Sequence, residues 1–196
     1  MENSKDVIDA VSFFQRAFTI VLALALGEAF KQFVTDKEEK GMQWDRLPAL
    51  LTFLFMVFPF FHGMNRYFFR TYLNPTPSKS YAVYLLFDGI MFMTESALFF
   101  VMSRSLAGIQ WRRYFIALLL LLAVDTGWGS VELSQTPDIT YWLTLNIALA
   151  VILGIVMSYF WSKENPAVPS VVAAVATFTT TAISYFLSWN FYFPPL

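Results

Sequence analysis

The chain has 196 residues, 57% of them hydrophobic and only 14% charged, with a net charge of −1 and no cysteine. Soluble domains run nearer roughly 45–50% apolar and about 25% charged, so an ordinary water-facing fold is excluded. The near-neutral balance leaves no basic surface for nucleic acid, and the lack of cysteine rules out disulfides, a thiolate nucleophile and Cys-ligated metals.

The apolar excess falls in long runs that end at charged or proline-containing segments, as membrane spans separated by loops do. The expected fold is therefore all-α: a single membrane-embedded helix bundle over residues 1–196, with about six transmembrane helices. Residues 1–10 hold Glu2, Asp6 and Asp9 against Lys5 alone. This does not resemble a secretory signal, so the first span is expected to be retained. Glu2 stands where myristoylation needs glycine, and there is no cysteine to prenylate.

A span needs about 20 apolar residues. The six expected spans are 11–34, 47–73, 81–103, 111–133, 139–161 and 168–190. Between them lie the charged stretch 35–46, Asn74-Pro75-Thr76-Pro77, the short polar stretch 104–110, Pro137, and Asn165-Pro166 with Pro169. Loops this short predict antiparallel hairpins and no soluble domain.

Six spans put both termini on one side. The opposite side carries Lys31, Lys37, Lys40, Arg46, Arg104, Arg112, Arg113 and Lys163, and the terminal side Lys5, Arg16, Arg66, Arg70 and Lys79. The positive-inside rule then predicts extracytoplasmic termini in a plasma or inner membrane. Trp44, Trp111 and Trp161 fall at one set of span ends, and Trp128, Trp142 and Trp189 toward the other, as interfacial belts would.

A charge within hydrocarbon costs about 2.5–3.5 kcal/mol on insertion scales, so those retained should face protein or water. On the first span these are Gln15, Arg16, Glu28 and Lys31. The last two are expected to form a local pair with Lys31 reaching the interface, and a cytoplasmic gate is the alternative. On the second span His62, Arg66 and Arg70 recur every four residues beside Asn65. On the third, Asp88 and Glu95 are seven apart, with Tyr81 and Tyr84 along the same stripe; on the fourth, Asp125 and Glu132 repeat that spacing. Arg16, Arg66, Arg70, Asp88, Asp125 and Glu132 are expected in one leaflet, with His62 and Glu95 near the midplane. Two readings fit. One is a structural ion-pair network; the other is a wet cavity leading to Glu95 and His62 on an ion path.

On the fifth span Ala150, Gly154 and Ser158 repeat every four residues, a small-residue face suited to close helix approach within the chain or between protomers. The sixth carries Thr177, Thr180, Thr181, Ser184 and Ser188, whose hydroxyls are expected to bond the carbonyl four residues back, with a hydroxyl-lined pore as the minority reading.

Enzyme signatures fail. Asp125-Thr126-Gly127 lies in a helical context, and Gly127-Trp128-Gly129-Ser130 would need His62, the one histidine, as its base. A His-Glu-x-x-His zinc site is out of reach for the same reason, and no mid-span lysine offers a retinal Schiff base. No catalytic residue, metal or cofactor is expected. The leading expectation is a homo-oligomeric transporter or channel for an ion or small solute. The alternative is a non-transporting sensor or anchor subunit, as in stress or phage-defence assemblies, docking a cytosolic protein partner on the 35–46 loop.

Overall fold

The computed structural model describes residues 2–34, 42–73, 81–106, 110–132, 140–162 and 167–193. Among them there is no strand. The helices are α1 (Glu2–Val34), α2 (Leu47–Phe68), α3 (Tyr81–Ser105), α4 (Trp111–Glu132), α5 (Thr140–Phe160), α6 (Ala167–Leu187) and the short α7 (Trp189–Tyr192). A 3-10 turn, Trp44–Arg46, leads into α2, and a π-helical segment, Phe69–Leu73, ends it. The six long helices are each long and apolar enough to cross a membrane, and they fall on the six expected spans. Lys37, Lys40, Lys79, Lys163, Pro137 and residues 35–41 of the expected docking loop lie outside the described residues.

Two boundaries differ from expectation. Helix α1 begins at Glu2 rather than at residue 11, because Val7 and Ala10 already pack on the core. At the other end α6 stops at Leu187, and the chain turns at Ser188 into α7.

Two of the main packings, α1 on α3 and α2 on α6, join helices that are not neighbours in sequence. Helix α1 packs chiefly on α3, α3 on α4, α4 on α5, α5 on α6, and α6 on α2, which returns to α1. Around this ring the surface is inverted relative to a soluble protein. Val83 is 76% exposed and Phe186 80%, while Asp88, Glu95 and Glu132 are wholly buried. An apolar exterior around a polar interior is the arrangement that hydrocarbon rewards. The chain is a multi-pass membrane protein.

Pro59 stands inside α2 and has no N–H to give the Phe55 carbonyl four residues back. The Thr181 hydroxyl of α6 donates to that carbonyl at 3.0 Å, so the α2–α6 contact satisfies the group that the proline strands. Close approach elsewhere rests on glycine. A Cβ at Gly89 would lie 2.3 Å from the Phe14 ring of α1, and one at Gly129 2.9 Å from the Trp142 ring of α5. Gly154, by contrast, would meet nothing within 4 Å, and Ser158 is exposed. Ala150 packs on the core, so the small-residue stripe of α5 is open within the chain only at its Gly154 and Ser158 positions.

Candidate functional site

Helices α3 and α4 are consecutive, antiparallel and packed together. With seven-residue spacing on each, Asp88 comes level with Glu132 and Glu95 with Asp125, forming two rungs of buried carboxyls about 10 Å apart along the axis.

The first rung is held by neutral donors from three helices. Asp88 accepts from the Tyr72 hydroxyl at 2.6 Å and the Tyr67 hydroxyl at 2.9 Å through Oδ2, and from the Trp128 indole N–H at 2.9 Å through Oδ1. The Tyr67 hydroxyl also lies 2.8 Å from Glu132 Oε2. One phenolic proton stands between two carboxyls, so both contacts are hydrogen bonds only when a carboxyl contributes a proton as well. The wider turn of the π segment is the local device that delivers Tyr72.

Between the rungs lies an aromatic layer. Phe92 and Trp128 have ring centroids 5.0 Å apart, and Tyr67 meets Trp128 edge-on at 4.9 Å.

The second rung is poorer in donors. Asp125 accepts from the Asn146 amide at 2.5 Å. Neither Glu95 oxygen meets an N–H or O–H donor among the described residues, and the polar group that Glu95 faces is the Asp125 carboxyl. Two carboxyls can hydrogen-bond to each other only when at least one carries a proton.

Two cavities of about 50 Å³ each border Asp125. The first is walled by aromatic side chains of α2, α3, α4, α5 and α7, with Tyr67 of the first rung on its lining. The second is lined by Asn146, Thr180, Thr181 and Ser184. Among the described residues the buried Ser188 hydroxyl on the first cavity meets no hydrogen-bond partner. Toward the other membrane face buried Phe53, Leu118, Leu153 and Ala173 follow, and beyond them a third cavity of about 50 Å³ reaches Asp45, Arg46 and Tyr114.

The expected bases lie elsewhere. Arg66 donates to the Phe191 carbonyl at 3.1 Å and lies over the Phe69 ring, while Arg70 and Arg16 are exposed. His62 packs against Tyr185, Tyr192 and Phe193 on the α6–α7 side, with its Nδ1 3.4 Å from the Tyr185 hydroxyl. His62 and the acids therefore do not form a single cluster: α2 turns His62 and Arg66 toward α6 and α7, while Tyr67, on another face, reaches Asp88 and Glu132. Glu28 and Lys31 pair at 3.6 Å as expected, with Gln32 donating to Glu28. Gln15 donates to Asn65 at 3.2 Å. Tyr84 is exposed, and the side chain of Tyr81 lies outside the described residues. Thr177 and Thr180 do bond the carbonyl four residues back, whereas Thr181 crosses to α2.

The spacing pattern reached the four carboxyls but not Tyr67, Tyr72, Trp128 or Asn146. Aromatic residues are common at buried positions of any bundle, and Asn146 was the one weak signal, a lone amide in the apolar run of α5. Among the described residues no three His, Asp or Glu side chains come together as a metal site requires. No protein-family model, curated protein or solved structure matches the chain.

Proposed function

We propose that this protein carries a cation across the membrane, as a transporter or channel, and that the Glu95–Asp125 pair is where the cation or proton is held. The observation that carries the reading is that pair itself. Two carboxyls are buried at one level on facing helices, their described donors amount to one neutral amide, and two cavities border Asp125. A purely structural acid would be expected to look like Asp88, saturated by donors. A carboxyl pair short of donors keeps a proton that can leave when another cation arrives.

Cavities of this size admit about three to five water-sized bodies each, which favours a proton or a small cation over a bulky solute. The apolar layer of Phe53, Leu118 and Leu153 then serves as the closed gate, which must part for passage. Homo-oligomerisation is part of the proposal. Arg16 is exposed on α1 beside a groove lined by Ser12, Gln15 and Thr19, and a second copy would cover this polar stripe where lipid could not. The excess of Lys and Arg on the side opposite the termini supports an orientation with that side in the cytoplasm of a plasma or inner membrane.

The deciding experiment is reconstitution. Wild-type proteoliposomes should dissipate an imposed proton or monovalent-cation gradient, and Glu95→Gln, expressed and folded, should not. Folded wild-type protein that stays silent under every cation gradient would leave the other reading, a membrane subunit that docks a cytosolic partner on residues 35–46.

A further inference from the structure

The cavity shared by Asp125 and Tyr67 has an unusual wall for a cation path. Phe60, Phe92, Trp128, Trp142 and Tyr192 surround it, and the Asp125 carboxyl is set among them. An alkali-metal ion would be poorly served there, because hard cations take several oxygen ligands. Ring faces are instead the surface that attracts alkylated ammonium, since the quadrupole of each ring is negative over its face and its carbons match alkyl groups.

Two further facts set size and polarity. At about 10–15 Å³ for each water-sized body, 50 Å³ holds roughly three to five heavy atoms. The Ser188 hydroxyl lines the same cavity, is only 9% exposed and has no partner among the described residues. It marks a place where a polar group of a guest would be satisfied. Arg66, the nearest fixed positive charge in sequence, is turned onto the Phe191 carbonyl and is not part of the lining.

We infer that this cavity binds a small alkylammonium ion of about three to five heavy atoms, with its alkyl groups against the rings of Phe92, Trp128 and Trp142. The N–H of the guest donates to Asp125 or to the Ser188 hydroxyl. The inference names the cation of the transport reading and rests on it for its physiological meaning, but its binding is measured separately.

Thermal unfolding of the purified protein in mild detergent tests it. Trimethylammonium chloride should raise the Tm saturably, whereas sodium chloride at equal ionic strength and the neutral, similarly sized tert-butanol should not. Ser188→Met fills the cavity without touching the acid and should abolish the response; Trp142→Leu should weaken apparent affinity at least severalfold. A response shared by sodium chloride or tert-butanol, or one unchanged in both variants, overturns the inference. Should either variant fail to fold, the other and the salt controls decide. Proton flux in liposomes without a trimethylammonium response removes this inference alone. A trimethylammonium response with silent liposomes removes the transport reading and leaves the binding site.

Discussion

The Thr181 hydroxyl of α6 donates to the Phe55 carbonyl of α2, the acceptor that Pro59 leaves without its helical N–H. Within a membrane no water stands ready to replace that donor. Thr181→Val should therefore lower stability in detergent by about 1–2 kcal/mol, in the range found for interhelical hydrogen bonds of this kind. Pro59→Ala restores the helical partner, so Thr181→Val should cost measurably less in a Pro59→Ala background. Equal cost in both backgrounds, read from Tm or denaturant midpoints, would show that the bond does not compensate for the proline.

Much of this fold was legible before any coordinates. Span positions follow from runs of apolar residues, and a spacing of seven puts each helix's two carboxyls on one face, but the pairing of Glu95 with Asp125 apart from Asp88 and Glu132 was not expected. The helix partners were not legible. Composition does not distinguish α2 packed on α3 from α2 packed on α6; a proline, a threonine far away in sequence and a glycine under a phenylalanine decide it. The arginines misled for a related reason. Opposite charges in one leaflet suggest pairing, yet the described donors to Asp88 are Tyr67, Tyr72 and Trp128, and those to Asp125 come from Asn146.

Glycine 89 and glycine 154 should now behave in opposite ways. Gly89→Ala drives a Cβ toward the Phe14 ring at 2.3 Å, so the ring or the α1–α3 crossing must shift. Overpacking of this kind costs typically about 1–3 kcal/mol, and Phe14→Leu in the same chain should return part of it. Gly154→Leu meets open space and should leave the monomer's Tm near wild type. A monomer as damaged by Gly154→Leu as by Gly89→Ala would contradict these helix contacts.

Topology and assembly can be read with single cysteines, since the chain supplies no background. Cysteine at Ser4 and Thr76 should react with an impermeant reagent in intact cells, and cysteine at Gly41 and Gly108 should not. Labelling in the reverse pattern would invert the proposed orientation. For assembly, cysteine at Thr19, beside Arg16 on α1, should give disulfide-linked dimers in native membranes if a second copy covers that stripe. Crosslinking there no greater than at Val83, which is exposed on α3, would argue for lipid contact instead.

The two rungs should separate structural acids from working ones. Asp88 accepts from three donors at once, so Asp88→Asn leaves a single acceptor oxygen and turns its amide N–H₂ either toward the Trp128 indole N–H or toward the Tyr67 and Tyr72 hydroxyls. Each buried donor left without an acceptor costs about 1–3 kcal/mol, and the expected result is low yield and a strongly lowered Tm. Tyr67→Phe removes one donor from the same network and should cost less, with a double mutant less damaged than the sum because the two share bonds. Glu95→Gln is different in kind. Its amide can donate an N–H to Asp125 in place of the carboxyl proton, so the contact survives while the transferable proton is lost. That variant should keep its Tm within about 1 kcal/mol of wild-type stability, the scale of one exchanged hydrogen bond. The order matters more than the size. If Glu95→Gln unfolds the protein while Asp88→Asn is tolerated, the Glu95–Asp125 rung holds the bundle together and the proton must be sought on the Asp88–Tyr67–Glu132 rung.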